Sequence, residues 1–332
     1  MRYKDAGVDI KREALGIKSL RDKITFARKG IGQPIILEHF AGAVEFNEYA
    51  LVLCTDGVGS KIMIANAMKK WDTVGIDCIA MNVNDIICVG AEPIAFVDYI
   101  AMERVDSTIM AEIGKGLDVG AREANVTIVG GETATLPDMI RGLDLAGTCL
   151  GFVKKDSIVT GKDVREGDVI IGLKSTGPHS NGYTLIRKVL ERAGLDYSED
   201  FHGRPLGLVL LEPTAIYVRD VLSVLRKYEV HGLAHITGGG FLNITRVKPD
   251  LGYFITDPIR PHKIFTFIQE LGDISDDEMY RTFNMGMGFA IIAGEDCAAD
   301  IVREIGDRAR VVGHVEKGKG VVIEPADVRL DS

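Results

Sequence analysis

A chain of 332 residues is long for one domain and comfortable for two of roughly 150 each. Hydrophobic residues make up 46% of it, and charges of both signs are interspersed, so it can bury a core and shows no disorder signature. A net charge of −9 argues against a nucleic-acid or anionic-membrane partner, which would want excess Lys and Arg, and leaves small molecules open.

In chain order, residues 19–30 read as a short helix, and Ala50–Thr55 as a buried strand that stops at Asp56-Gly57. Ile76, Ile79, Ala80, Val83, Ile86 and Ile87 recur at helical spacing over 72–90. Pro93–Met102 reads as a strand, and Ile109, Ile113, Leu117, Ala121 and Ala124 mark a helix. Val126–Val129 is a strand expected to end at Gly130-Gly131, and 143–153 is another. This β-α-β-α-β-β order predicts an α+β, ferredoxin-like unit with helices on one sheet face. The other face is left for a partner, which implies a homodimer through residues 1–150.

The polar, turn-rich stretch 154–167 separates a domain over 1–160 from an α/β domain over 161–332. The second domain reads as a strand at 168–173, a Gly-rich loop at 175–182, and helices at 183–194 and 212–228. A strand at 230–235 and a loop at 237–240 follow, with further strands at 251–256, 288–293 and 310–316. Ser275-Asp276-Asp277-Glu278 is a capping box opening a helix at 276–282.

The five cysteines are odd in number and form no C-x-x-C pair, as expected of core thiols in a reducing cytosol. The N-terminus has no apolar leader and no run approaches about 20 apolar residues, which places the expectation in the cytoplasm, off the membrane.

Chemistry concentrates in a few segments. Thr55-Asp56-Gly57-Val58-Gly59-Ser60-Lys61 presents a carboxylate at a strand tip, two glycines for close backbone approach, and a point charge. It matches neither a P-loop nor a dinucleotide fingerprint. On the helix over 72–90, Asp77 and Asn84 lie nearly in line and Asp85 about 80° round from Asp77. Polar groups inside so apolar a helix are costly unless partnered, and a metal ion or phosphate cluster would explain them. Gly130-Gly131-Glu132-Thr133 is read as a loop leaving a strand end, so Asp56, Asp85 and Glu132 are expected to converge on Mg²⁺. The second domain offers donors instead: Thr176–Gly182 and His235–Gly240 are each either a plain turn or a loop whose amides suit an anion. No spacing supports zinc.

These segments carry a family resemblance. Tyr3–Ile10, Asp56–Lys61, Gly75–Asp77, Asn82–Asp85, Gly90–Pro93, Gly130–Thr133, Gly177–Tyr183, His235–Gly240 and Glu278–Gly286 occur in the order seen in the AIR synthetase family, the phosphoribosylformylglycinamidine cyclo-ligases. The chain resembles that family over essentially its whole length. The resemblance implies a homodimer, an ATP-binding first domain, and ATP-dependent closure of formylglycinamidine ribonucleotide to aminoimidazole ribonucleotide. It implies Lys61, Asp85 and His179 as catalytic residues. It puts Lys4, Asp9, Asp56, Gly57, Gly59, Lys61, Asp77, Asn84, Gly130, Gly131 and Thr133 at ATP, with Mg²⁺ on Asp56, Asp85 and Glu132. It puts Pro178, His179, Ser180, Asn181, Gly182, Tyr183, His235, Thr237, Gly238 and Gly239 at the ribonucleotide. The chain departs from the family pattern at 30–34 and 134–138. Among relatives of the same two-domain design, thiamine-monophosphate kinase is the alternative reading.

Overall fold

The computed structural model describes residues 3–7, 10–37 and 40–331. Its first half forms helix α1 (Ile10–Arg21), strands β1 (Pro34–Ile35), β2 (Gly42–Phe46) and β3 (Tyr49–Gly57), helices α2 (Ile62–Met68) and α3 (Val74–Ile87), strand β4 (Glu92–Met102), helix α4 (Ser107–Ala124), and strands β5 (Thr127–Thr135) and β6 (Leu143–Lys154). The strands join in one sheet in the order β1-β2-β3-β6-β4-β5, antiparallel except for β4 beside β5. This is the expected β-α-β-α-β-β unit with two strands and a short helix added.

α3 is buried along its whole length except at Ile76 and Asp85, because it lies between the sheet, α4 and the second domain. A helix this apolar is stable only in such a place. Close approach to α4 needs glycine: a Cβ on Gly75 would sit 2.4 Å from the Leu117 nitrogen. Among the described residues no helix covers the opposite sheet face. Register places Phe46, Leu53, Val97 and Tyr99 there, and they are 44%, 45%, 38% and 41% exposed.

The second half runs β7 (Val169–Lys174), α5 (Tyr183–Ala193), the hairpin β8 (Asp200–Phe201) and β9 (Arg204–Pro205), then α6 (Leu206–Leu210), α7 (Val218–Leu225) and β10 (Gly232–His235). β11 (Leu251–Ile255), α8 (Lys263–Gly272), α9 (Asp276–Thr282), β12 (Met287–Ala293), α10 (Glu295–Ile305), β13 (Ala309–Lys317), β14 (Gly320–Ile323) and β15 (Val328–Leu330) complete it. Its seven-stranded sheet is ordered β10-β12-β7-β13-β11-β14-β15. Ser275 caps α9 as its capping box requires.

Three expectations fail for identifiable reasons. The helix expected over 19–30 lies at Ile10–Arg21, ahead of the β-branched and aromatic stretch Ile24–Phe26. The helix expected over 212–228 is only Val218–Leu225: residues 212–217 stay out of helix, where Pro213 has no N–H to donate and disfavours helical backbone at the residue before it. The strand expected to stop at Val129 continues through Gly130-Gly131 to Thr135, paired with β4 on both sides of a bulge at Val129.

The two halves are joined by a polar seam behind α3. Lys61 Nζ, fully buried, donates to Asp77 Oδ1 at 2.9 Å, to the His179 carbonyl at 2.9 Å and to the Glu212 carbonyl at 2.7 Å. Asp77 Oδ1 also accepts from the Thr214 nitrogen (2.8 Å) and hydroxyl (2.6 Å). Asn84 donates to the Ala215 carbonyl (2.8 Å) and accepts from the Tyr217 nitrogen (3.0 Å). Removing one partner of a buried ion pair leaves the other charge uncompensated. Lys61→Met is therefore expected to cost about 3 kcal/mol in urea denaturation; a variant as stable as the parent would show that the seam does not hold the halves together.

Candidate active site

The seam presses the tip of β3 against the Gly-rich loops of the second domain and leaves a cleft of 420 Å³ between them. Asp56, Gly57, Gly59 and Ser60 form one wall, and Ser180, Asn181, Gly182, Tyr183, Gly238 and Gly239 the other. The Ser60 and Thr184 hydroxyls meet across it at 3.0 Å. Both walls are mostly small residues, so backbone groups are within reach of a ligand.

Local contacts fix each wall. Asn82, buried in α3, accepts from the Asp56 nitrogen (3.0 Å) and donates to the Asp56 carbonyl (3.1 Å). It thereby sets where the strand ends. The Asp56 carboxylate accepts from the Gly57 nitrogen at 2.7 Å. Gly182 begins α5 at φ 77°, and a Cβ there would lie 2.2 Å from the Phe283 ring, so no other residue fits. Asn243 Nδ2 donates to the carbonyls of Gly238 and Gly240, each at 3.1 Å, and holds the second loop.

Asp85 projects from α3 toward β10, where its Oδ1 lies 2.8 Å from His235 Nδ1. His235 is fully buried and its Nε2 has no protein partner. The Cys54 thiol reaches Asp85 Oδ2 at 3.6 Å. Burial, then the nearby Asp85 charge, push Asp56 up to about 6 against the opposing Gly57 hydrogen bond and His235. A cation near both carboxylates would relieve the repulsion that Asp85 exerts on Asp56.

His179 lies behind the cleft, 1% exposed, with Nε2 accepting from the Thr176 nitrogen at 3.2 Å. Burial, with His235 and Lys61 adding to it, pushes it well below the usual histidine range, so it is neutral with its proton on Nδ1. Asn181 Nδ2 is buried beside the cleft with no partner, an amide donor awaiting an acceptor.

Several expected ligands stand elsewhere. Glu132 does not join Asp56 and Asp85. β5 pairs Gly131, not Glu132, with Asp98, and Asp98 shares Gly147 as a partner with Asp56. Side chains alternate faces, so Glu132 points from the opposite side of the sheet, three strands away. Among the described residues no group of three or more His, Cys, Asp and Glu is placed to hold a metal. Gly130, Gly131 and Thr133 lie exposed in the edge strand; Gly131 leaves room for Asp98, whose Oδ1 would sit 2.5 Å from a Cβ there.

Lys61, Asp77 and Asn84 face the seam and not the cleft: Lys61 and Asp77 bond each other, and all three bond main chain of the second domain, Asp77 through Oδ1 alone. Pro178, His179, His235 and Thr237 stand behind the wall. Lys4 lies with Arg12 and Glu13 around a neighbouring hollow, and Asp9 is outside the described residues. Sequence reasoning missed Asp98 and the Ser60–Thr184 contact. It also missed Asn82 as the residue that sets Asp56, although all of these sit in or beside segments already singled out.

The chain is one of the AIR synthase related proteins: family models for their N-terminal and C-terminal domains match residues 39–153 and 165–324. Hydrogenase maturation protein HypE in complex with ATP superposes with a TM-score of 0.62 at 19% identity, over 85% of this chain and 84% of that one. AaThiL complexed with AMPPCP and TMP gives 0.66 at 17%, over 100% and 97%. These distant likenesses show the fold. A phosphoribosylformylglycinamidine cyclo-ligase from Methanosarcina acetivorans is 54% identical over 332 residues, 98% of either chain. The chain belongs to the phosphoribosylformylglycinamidine cyclo-ligase family.

A raised carboxyl pKa stabilises the fold fully below the unfolded value of 3.8, and that contribution is lost as pH rises through about 6. Asp56→Asn is therefore expected to melt above the parent at pH 7.5 in a metal-free buffer, with the gap closing toward pH 4. A gap that does not change with pH would overturn the assignment of a strained carboxylate to Asp56.

Proposed function

We propose that the chain closes the imidazole ring of aminoimidazole ribonucleotide from formylglycinamidine ribonucleotide, using ATP and releasing ADP and phosphate. The observation that carries this is the 54% identity to a cyclo-ligase over 98% of both chains. ATP as the phosphoryl donor is supported by the ATP held in a structure of the same fold. The division at 160/161, the cytoplasmic setting and a homodimer belong to the same reading. Support for the dimer comes from the apolar, helix-free face carrying Phe46, Leu53, Val97 and Tyr99. No helix among the described residues is long and apolar enough to cross a membrane.

Chemically, an amide oxygen is a poor leaving group. Transfer of the terminal phosphoryl group of ATP to the formyl oxygen makes it a phosphate ester. An amidine nitrogen of the same substrate then attacks the formyl carbon, the carbon–oxygen bond breaks, phosphate departs, and the nitrogen loses its proton. The protein's share is mostly alignment and charge neutralisation.

Asp56 and Asp85 would hold Mg²⁺, which binds through one or two carboxylates plus phosphate oxygens and supplies positive charge to them. The Gly57–Ser60 backbone lies where polyphosphate would pass. Across the cleft, Asn181 and the amides of Gly182, Gly238 and Gly239 offer donors to the ribonucleotide. His235 holds Asp85 in place, and neutral His179 supports the loop that carries Ser180 and Asn181.

Pure protein is expected to release ADP with formylglycinamidine ribonucleotide and not with thiamine monophosphate; the reverse would make it a kinase of the same fold. Asp85→Asn should lower turnover by about 100-fold, about 2.7 kcal/mol. Asn181→Ala should weaken ribonucleotide binding by about tenfold and leave ATP binding unchanged in calorimetry. Loss of ATP binding alone would reverse the assignment of the two walls. Light scattering should give about twice the 36.1 kDa chain mass at micromolar concentration, and a single-chain mass would remove the dimer.

A further inference from the structure

On the far side of the 175–182 loop lies a second cavity, of 510 Å³, which ring closure as written above does not use. Its walls are the β8–β9 hairpin, the first turn of α8 and the start of the loop, Ser175–Gly177. One loop therefore has two working faces: Ser180 and Asn181 line the cleft, whereas Thr176 and Gly177 line the cavity.

The charge of the cavity runs against that of the chain. The molecule carries a net −9, yet Arg204 and Lys263 line this wall together with His202 and His262. The single acid on the lining, Glu212, is paired with Arg204 at 3.2 Å. Lys263 has no ion-pair partner among the described residues. The hairpin fixes what it presents. Phe201 and Arg204 are direct partners in the β8–β9 ladder, so their side chains share a face. His202 and Gly203 both have positive φ (54° and 84°), the geometry of a tight two-residue hairpin turn. Phe201 is braced edge-on against Phe267, with ring centres 5.1 Å apart.

We propose that this cavity binds the phosphate end of a phosphorylated sugar or nucleoside. The Arg204 guanidinium, which keeps donors beyond the one given to Glu212, and the Lys263 ammonium line the same cavity, and such groups recognise phosphate. The volume lies in the range that encloses a ligand of nucleotide size, and the Phe201 and His202 rings, set edge to face with centres 4.8 Å apart, form an aromatic corner for the ring that follows the phosphate. The assignment rests on the cavity alone, and stands or falls independently of the reaction proposed for the cleft.

Calorimetric titration of the full chain with ribose 5-phosphate and with inorganic phosphate, in the absence of ATP, tests it. Ribose 5-phosphate should bind the parent more tightly than inorganic phosphate does. The double variant Arg204→Ala, Lys263→Ala should lose at least tenfold in affinity for ribose 5-phosphate, while Asn181→Ala in the cleft keeps the parental value. Both cationic side chains are substantially exposed, and Lys263→Met alone, expected to lose several-fold, carries the test should the double variant fail to fold. A parent that binds neither probe, variants that bind as tightly as the parent, or a loss caused by Asn181→Ala would each overturn the proposal. So would inorganic phosphate binding as tightly as the sugar phosphate. ADP release is measured separately, so an absent ring-closure activity leaves the binding result readable.

Discussion

The Lys61 ammonium sits fully buried among three acceptors, two of them main-chain carbonyls of the other domain. An ammonium out of water is tolerated only when charge and hydrogen-bonding capacity are both matched. Here Asp77 supplies the charge and the second domain supplies the remaining acceptors. Asp77 in turn draws in Thr214, and Asn84 draws in Ala215 and Tyr217. Everything in front of the seam inherits its spacing. The tip of β3, the loop to Ser60 and the start of α5 are set relative to one another by contacts that no ligand touches.

That arrangement accounts for the character of the cleft. With the walls held from behind, its lining is free to consist of glycine, serine and main-chain amides, which are poor at packing but good at approaching phosphate. Behind the wall, His235 Nε2, His179 Nδ1 and Asp77 Oδ2 have no protein partner. At the cleft itself, the Asp56 carboxylate near the Asp85 charge and the unpartnered amide of Asn181 are groups whose needs a ligand would meet.

Much of the fold was legible from residue patterns. The strands over 93–102 and 143–153 and the apolar helix centred on Val83 stand where periodicity puts them. The argument that Asp77 and Asn84 must have partners was sound, because buried polar groups do. The partner was misjudged, since main-chain atoms of a distant segment leave no residue type to read. Glu132 was lost to parity: a strand was taken for a loop, and one step along a strand reverses the face. Pro213 was readable and overlooked. Asp56, Gly57, Gly59 and the 180–183 loop do meet, which their separate local geometries could suggest but not place.

The seam constrains the sequence in an unusual way. Of the second-domain atoms it grips, only the Thr214 hydroxyl is a side-chain atom; the others are amides and carbonyls of His179, Glu212, Thr214, Ala215 and Tyr217. Residue identity there is nearly irrelevant to the grip, whereas chain length is not. One residue added or removed between 212 and 217 would slide the following atoms by about 3.5 Å and leave Asn84 facing the wrong peptide groups. For the grip itself the stretch is held in count more than in letters, so an insertion or deletion there should separate the halves where most single substitutions at the gripped positions would not.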